Sequence, residues 1–232
     1  MARLKVAVLI SGRGSNLQAL IDATTALDFP AKIIQVISDV PAVVGLTRAV
    51  HAGVPTAVID PHDYAGRPAF EAALDRCLRD AGAQLLCLAG FMRLLTADFV
   101  AGWPDRILNI HPSLLPAFRG LHTHTRALAA GVRFTGCTVH FVRPAMDEGP
   151  IVAQAVVPVL SGDDPDRLAA RVLEAEHRLY PLALRLVATG QARVREEVVD
   201  VNGTPAPSHP LLNPQDQDEE QRKEGGERRR CM

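Results

Sequence analysis

An asparagine and a histidine two residues apart form the most informative pattern in the sequence. Asn109 and His111 fall at the end of an apolar run over Ile107–Ile110, and Pro112 follows directly. Alternate residues of a β-strand share a face, so both side chains would project together from the carboxyl end of this strand. An amide donor stabilises the oxyanion of an acyl transfer, and an imidazole moves protons near neutral pH. A lone histidine would more often bind a loop carbonyl, but this pattern predicts acyl-transfer chemistry.

A carboxylate farther along the chain is a candidate third member of this group. Asp147 lies in a loop that contains proline and glycine, before the apolar run that begins at Ile151. A carboxylate beside His111 would favour the charged imidazole and orient the ring. Sequence spacing does not place Asp147 there. The alternatives are an aspartate that only forms a turn, and Glu148 as the carboxylate instead.

A glycine-rich turn over Gly12–Asn16 follows the first apolar run. Glycines let the backbone approach a ligand closely, and the amino end of a following helix offers free N–H groups that suit a phosphate. Ser15 and Asn16 could add side-chain donors. The turn is not a dinucleotide fingerprint, because Leu17 stands where the third glycine would be. The alternative is a tight turn in which Ser15 or Asn16 only caps the helix.

Short apolar runs alternate with helical stretches through most of the chain. This alternation predicts an α/β fold with a doubly wound, mostly parallel sheet. The predicted strands are Val6–Ile10, Ile33–Ile37, Thr56–Ile59, Gln84–Leu88 and Ile107–Ile110, and the predicted helices lie at Leu17–Ile21, Val43–Ala52, Pro68–Ala81 and His124–Ala130. Ligands of open α/β sheets collect at the carboxyl ends of the strands, where the glycine turn and the Asn–His pair would meet.

The C-terminal third of the sequence has a different pattern. Two β-rich runs, Thr138–Val142 and Ile151–Val159, predict an antiparallel addition to the sheet. A long helix should follow from Pro165, with a kink at Pro181, and then a last strand over Ala192–Val199. Residues 200–232 are rich in proline and then in charge, so we predict one folded domain over 1–199 and a disordered tail over 200–232.

Composition excludes several classes of protein. Apolar residues make up 47% of the 232 residues and charged residues 22%, which is typical of globular domains. The 25 basic and 26 acidic residues nearly cancel, which argues against a nucleic-acid partner. The apolar run before Ser11 is too short for a signal peptide or a membrane span. We therefore expect a cytoplasmic protein without a membrane partner, a monomer or a weak homodimer.

Taken together, these segments resemble the glycinamide ribonucleotide transformylase family of folate-dependent formyltransferases. The matching stretches are residues 8–19, 88–93, 109–116, 120–124 and 138–142, and the likeness runs from about residue 5 to about residue 197. The resemblance implies a Rossmann-like formyltransferase fold. It also implies a phosphate-binding half over about 1–100 and a half over about 101–199 that binds folate and carries the catalytic residues.

The resemblance also implies a role for individual residues. The catalytic set would be Asn109, His111 and Asp147. The ribonucleotide substrate would be held by Gly12, Arg13, Gly14, Ser15, Asn16 and Glu176. The folate pocket would be lined by Arg67, Met92, Arg93, Leu94, Leu95, Arg143, Pro144, Ala145 and Met146. Without the resemblance, Arg67, Arg93 and Glu176 are equally well explained as solvated side chains, and His122, His124 and His140 as structural ones. The segment before Asp147 lacks the acidic residues expected in this family.

The implied reaction moves a formyl group from 10-formyltetrahydrofolate, a co-substrate, to the amine of a small ribonucleotide, without a metal. Two alternatives stay open. One is a different folate enzyme, such as a formyltetrahydrofolate hydrolase or another formyltransferase. The other is a non-catalytic nucleotide-binding module, which would have no reason to assemble Asn109, His111 and Asp147.

Overall fold

A computed structural model describes residues 2–203, 205 and 208–214 of the chain. The strands are β1 Leu4–Ile10, β2 Ala31–Ser38, β3 Thr56–Val58, β4 Leu85–Leu88, β5 Ile107–His111, β6 Phe134–Phe141, β7 Ile151–Pro158, β8 Ala192–Arg195 and β9 Val198–Val201. The helices are α1 Ser15–Thr25, α2 Val44–His51, α3 Arg67–Asp80, α4 Ala97–Ala101, α5 Thr123–Ala129 and α6 Pro165–Ala188, with a short 3₁₀ helix at Pro61–Asp63. Residues 215–232 of the predicted tail lie outside the described residues.

Within the described residues, seven strands form one sheet in the order β3-β2-β1-β4-β5-β6-β7. The strands from β3 to β5 run parallel, and β6 and β7 join them antiparallel. Helices cover both faces. Along β1, Val6 and Val8 pack on the side of α1 and α6, whereas Ala7 and Leu9 pack on the side of α3. The prediction of a mostly parallel α/β sheet with an antiparallel C-terminal addition is confirmed.

The long C-terminal helix begins where its sequence predicts. The Asp164 carboxylate accepts a hydrogen bond from the Arg167 amide at 2.8 Å, and Pro165 occupies the first turn, where no amide donor is needed. The helix then continues past Pro181 to Ala188. Leu168 and Val172 on its apolar face are fully buried against the sheet.

Three features of the fold differ from the sequence prediction. The stretch predicted as one strand over Ala192–Val199 is a hairpin of β8 and β9, because Glu196 and Glu197 both adopt positive φ (50° and 63°) and reverse the chain. Strand β9 ends at Val201, so the folded body extends past the predicted boundary at residue 199. Helix α4, only five residues long, was too short to show a helical period.

No helix in the described part of the chain has the length and apolar character needed to cross a membrane.

Tyr180 ties α6 to the two strands that carry the site. Its buried hydroxyl lies 3.1 Å from the carbonyl oxygens of both Leu88 and Leu108. We expect Tyr180→Phe to lower the free energy of unfolding by about 1–2 kcal/mol, because two buried acceptors lose a donor. Chemical denaturation measures this, with Tyr64→Phe as the control, since the described chain gives the Tyr64 hydroxyl no partner. A Tyr180→Phe protein as stable as the parent would contradict the assignment.

Candidate active site

A cavity of about 490 Å³ opens at the carboxyl ends of β4 and β5. Its walls come from the turn after β4, the end of β5, the segment that leads into α5, and the loop between β6 and β7. These segments lie at the carboxyl ends of the parallel strands or opposite them. Open α/β sheets bind their ligands at this edge.

Asn109 and His111 line this cavity from the end of β5, on one face of the strand as predicted. The His111 ring is 6% exposed, and its Nε2 donates to the Phe118 carbonyl at 3.0 Å. Its Nδ1 lies 3.4 Å from Oδ2 of Asp147. A carbonyl and a carboxylate both accept hydrogen bonds, so the pair of His111 and Asp147 is suited to hold a proton between Nδ1 and Oδ2.

Asp147 reaches His111 because the loop between β6 and β7 turns sharply at this residue. Asp147 itself adopts a positive φ of 55°, and its Oδ2 accepts the Gly120 amide at 2.9 Å. The alternative carboxylate, Glu148, points instead to the surface, where it forms an ion pair with Arg119. The structure therefore brings Asp147, and not Glu148, to the Asn–His pair.

His140 also belongs to the site, although the sequence alone explains it as a structural histidine. It lies directly opposite Asn109 in the register of β5 and β6, and its Nε2 is 3.2 Å from Nδ2 of Asn109. Its Nδ1 contacts the Phe141 carbonyl at 2.9 Å and must donate there, so the neutral ring accepts from Asn109 at Nε2. Burial lowers the pKa of His140, although the Asp147 carboxylate works against this shift. A neutral His140 thus orients the Asn109 amide. This role depends on the pairing register of β5 and β6, and no sequence pattern indicates that register.

The residues expected to bind folate fall into two neighbouring cavities. The main cavity is lined by Met92, Arg93, Leu94, Leu95, Arg143, Pro144, Ala145 and Met146. Arg67 lies instead in an adjoining cavity of about 560 Å³, which shares Met92, Arg93 and Leu94 with the first. The structure therefore joins eight of the nine residues around the Asn–His–Asp group and places Arg67 next to them.

The glycine turn lies beside these cavities without lining either one. Gly14 has a φ of 70°, and a Cβ there would lie 2.7 Å from the Cα of Gly45, so only glycine lets the two segments approach so closely. Helix α1 begins at Ser15, and Arg13 is exposed. The Ser11 hydroxyl accepts the Met92 amide at 2.9 Å, which joins the turn to the wall of the main cavity.

Asn16 and Glu176 form a buried polar pair behind the glycine turn. Asn16 Nδ2 donates to Glu176 Oε2 at 2.7 Å, and the side chains come from α1 and α6. Burial raises the pKa of Glu176, and the hydrogen bond from Asn16 partly offsets this. Within the described chain, the buried Oδ1 of Asn16 has no hydrogen-bond partner. The predicted ribonucleotide residues Asn16 and Glu176 therefore do meet in space.

Among the described residues, no group of three or more histidine, cysteine, aspartate or glutamate side chains is arranged to hold a metal ion.

A sequence model of the formyl transferase family matches residues 4–184. The chain belongs to the formyl transferase family. The phosphoribosylglycinamide formyltransferase of Haemophilus influenzae is 40% identical over 90% of this chain and 99% of its own length. The glycinamide ribonucleotide transformylase 1 of Symbiobacterium toebii has a solved structure that is 48% identical, with a TM-score of 0.84 over 86% of this chain and 94% of that one. The family resemblance noted in the sequence is confirmed.

Some relatives of the chain are much longer. The trifunctional purine biosynthetic protein adenosine-3 of Gallus gallus is 52% identical over 84% of this chain, but the match spans only 19% of that protein. The chain thus covers about a fifth of the length of this relative.

Arg143 lines the main cavity, but its guanidinium forms its hydrogen bonds with residues outside that cavity. Its Nε and Nη2 contact the two carboxylate oxygens of Glu197 at 2.7 and 3.2 Å, and Nη2 also lies 2.7 Å from Asp105. These contacts raise the pKa of Arg143 and lower that of Glu197. The turn of the β8–β9 hairpin therefore holds the loop that carries Asp147.

We expect Glu197→Gln to lower the melting temperature of the protein slightly at low salt, because Arg143 loses a charged bidentate partner. The difference should vanish in about 1 M salt, which screens exposed ion pairs. Thermal unfolding followed by circular dichroism measures both values. Glu196→Gln is the matched control on the same turn, and an equal effect of the two substitutions would argue against the Arg143 contact.

The raised pKa of Glu176 predicts a stability that depends on pH. Between the ordinary value of 4.5 and the raised value, the folded protein keeps a proton that the unfolded chain has lost. Stability therefore falls as pH rises through this interval, and Glu176→Gln removes this loss. We expect the variant and the parent to melt together near about pH 4 and the variant to melt higher near about pH 7. Glu174→Gln, on the exposed side of α6, should show no such trend; a pH-independent difference for Glu176→Gln would refute the prediction.

Proposed function

We propose that this formyltransferase moves the formyl group of 10-formyltetrahydrofolate to the amine of N1-(5-phospho-D-ribosyl)glycinamide, a step of purine biosynthesis. The observation that carries the proposal is the convergence of Asn109, His111 and Asp147 on one cavity, with His111 and Asp147 3.4 Å apart. The names of the relatives that match nearly full length support the same reaction.

Asn109 and His111 stabilise the tetrahedral intermediate in the proposed reaction. The substrate amine attacks the formyl carbon, a new C–N bond forms, and the carbonyl oxygen becomes an oxyanion. One N–H of the Asn109 amide is held by His140, and the other is free to bind the oxyanion. His111 reaches the same oxygen once its Nε2–H leaves the Phe118 carbonyl.

Asp147 and His111 also carry the proton in this proposal. The attacking amine becomes positively charged and must lose a proton, whereas the folate nitrogen must gain one as its C–N bond breaks. A carboxylate and an imidazole that share a proton can accept the first and supply the second, directly or through water. The atoms balance without a covalent enzyme intermediate or a metal.

The two substrates approach from opposite sides of the Asn–His–Asp group. The phosphate binds at the glycine turn over Gly12–Asn16, and the buried pair of Asn16 and Glu176 faces the ribose. The folate lies in the main cavity along Met92–Leu95 and the loop 143–147, with Arg67 and Arg93 near its anionic end. The apolar side chains of the lining and the two arginines suit a flat pterin with a charged tail.

A formyltetrahydrofolate hydrolase would use water as the acceptor at the same group. The buried pair of Asn16 and Glu176 behind a glycine turn favours a ribonucleotide acceptor instead, since water needs no such pocket. Purified protein is mixed with both substrates, and deformylated folate is followed by absorbance while each substrate is omitted in turn. Turnover only in the complete mixture supports the transferase; formate released without the ribonucleotide favours the hydrolase, and binding without turnover favours a non-catalytic module.

We expect Asn109→Ala and His111→Ala each to lower kcat by about 10²–10³, the usual loss when an oxyanion donor is removed. Steady-state kinetics with both substrates measures the loss, and circular dichroism checks that the variants fold. His51→Ala, on the exposed end of α2, is the control and should keep full activity. Near-normal turnover in either folded site variant would show that these roles are wrong.

A further inference from the structure

A buried carboxylate outside the proposed mechanism lies next to the two cavities. Asp39 follows the end of β2, and its side chain is 4% exposed. Its Oδ2 accepts a hydrogen bond from Nε of Arg93 at 2.6 Å. Among the described residues, its buried Oδ1 has no hydrogen-bond partner. Burial of a carboxylate is costly unless the charge is paired, so Asp39 depends on Arg93.

The turn after β2 holds Asp39 in one orientation. The Ser38 hydroxyl donates to the Val40 carbonyl at 2.6 Å and accepts the Val40 amide at 3.1 Å, which closes the backbone around Asp39. The Asp39 amide in turn lies 3.4 Å from the Ile10 carbonyl at the end of β1. The Asp39 carboxylate is therefore held in one position beside the sheet, where it can bind and order a longer side chain.

Arg93 is the side chain that the Asp39 carboxylate binds. It lines both cavities, its side chain is 41% exposed, and its guanidinium lies 5.6 Å from the centre of the Phe70 ring. Asp39 engages Nε, and in the described chain neither Nη atom of Arg93 forms a hydrogen bond. Two parallel Nη donors are the geometry that binds a carboxylate in bidentate fashion.

Position alone would suggest another role for Asp39. In dinucleotide-binding folds, an acidic residue in this region binds a ribose hydroxyl. Here Asp39 is occupied by Arg93 and is nearly inaccessible, and the glycine turn lacks the matching fingerprint. The contact with Arg93 therefore explains the residue better than a nucleotide does.

We propose that Asp39 is a positioning residue, which holds the Arg93 guanidinium where the two cavities meet so that its Nη groups bind a carboxylate on the glutamate tail of the folate donor. This inference rests on the proposed function. An arginine that is already ordered loses less rotamer freedom when it binds an anion, so the Asp39 contact strengthens donor binding without touching the donor.

The test uses two formyl donors, one with the glutamate tail and one truncated to the pteroate. We expect Asp39→Ala to raise the KM for the glutamate donor about tenfold, because the Arg93 side chain must then lose its rotamer freedom when the donor binds, while kcat and the KM for the ribonucleotide stay unchanged. The KM for the truncated donor should be the same in parent and variant. Asp39→Asn keeps an acceptor for Nε and should give a smaller rise. Equal changes for both donors would overturn the proposal.

A second comparison separates positioning from general damage to the fold. In an Arg93→Met background, Asp39→Ala should add nothing to the KM for the glutamate donor; an additional rise as large as in the parent would refute the proposal. Arg93→Met also leaves the Asp39 carboxylate buried and unpaired, so it should lower the melting temperature, and Asp39→Asn should restore part of it. Asp63→Ala, an exposed acid near the same cavity, is the control.

Failure of the proposed function gives a different result from failure of this inference. If the parent protein transfers no formyl group, the function is wrong, and Asp39 is tested by equilibrium binding of tetrahydrofolate and tetrahydropteroate, each used as a fluorescence-quenching probe. Preference for the glutamate ligand in the parent, lost in Asp39→Ala, supports the role of Asp39. The same preference in both proteins, or none in the parent, contradicts it.

Discussion

The antiparallel pairing of β5 with β6 is the constraint on which the site depends. This register places His140 opposite Asn109. Strand β6 then leads into the loop in which the Asp147 side chain reaches back to His111. A slip of one residue would turn every side chain of β6 to the other face of the sheet. Because β6 is buried along nearly its whole length, a slip would expose apolar side chains or bury polar ones, and this holds the register in place.

The two histidines of the site have different hydrogen-bond partners. His140 meets one acceptor and one donor, so the neutral ring satisfies both nitrogens, and desolvation lowers its pKa. His111 meets two acceptors, the Phe118 carbonyl and the Asp147 carboxylate. One strand pair thus supplies a neutral ring that orients an amide and a second ring whose two nitrogens both face acceptors.

Local rules of the chain predicted much of this arrangement. Alternation along a strand was enough to put Asn109 and His111 on one face, and capping residues located the start of α6. Features that depend on contacts between distant parts of the chain, or on the conformation of a loop, could not be predicted from the sequence. The choice of Asp147 over Glu148 needed the loop conformation, the role of His140 needed the register of two strands, and the hairpin at Glu196–Glu197 needed two residues with positive φ.

The glycine turn and the wall of the main cavity are also mechanically connected. The Ser11 amide donates to the Gly90 carbonyl at 3.1 Å, and its hydroxyl accepts the Met92 amide at 2.9 Å, so the glycine turn after β1 and the cavity wall after β4 form one unit. Because β1 and β4 are neighbours in the centre of the sheet, the spacing of these strands sets the separation between the glycine turn and the cavity wall. The direct transfer proposed above requires this kind of rigidity, since a small displacement of either reacting atom would slow the reaction steeply.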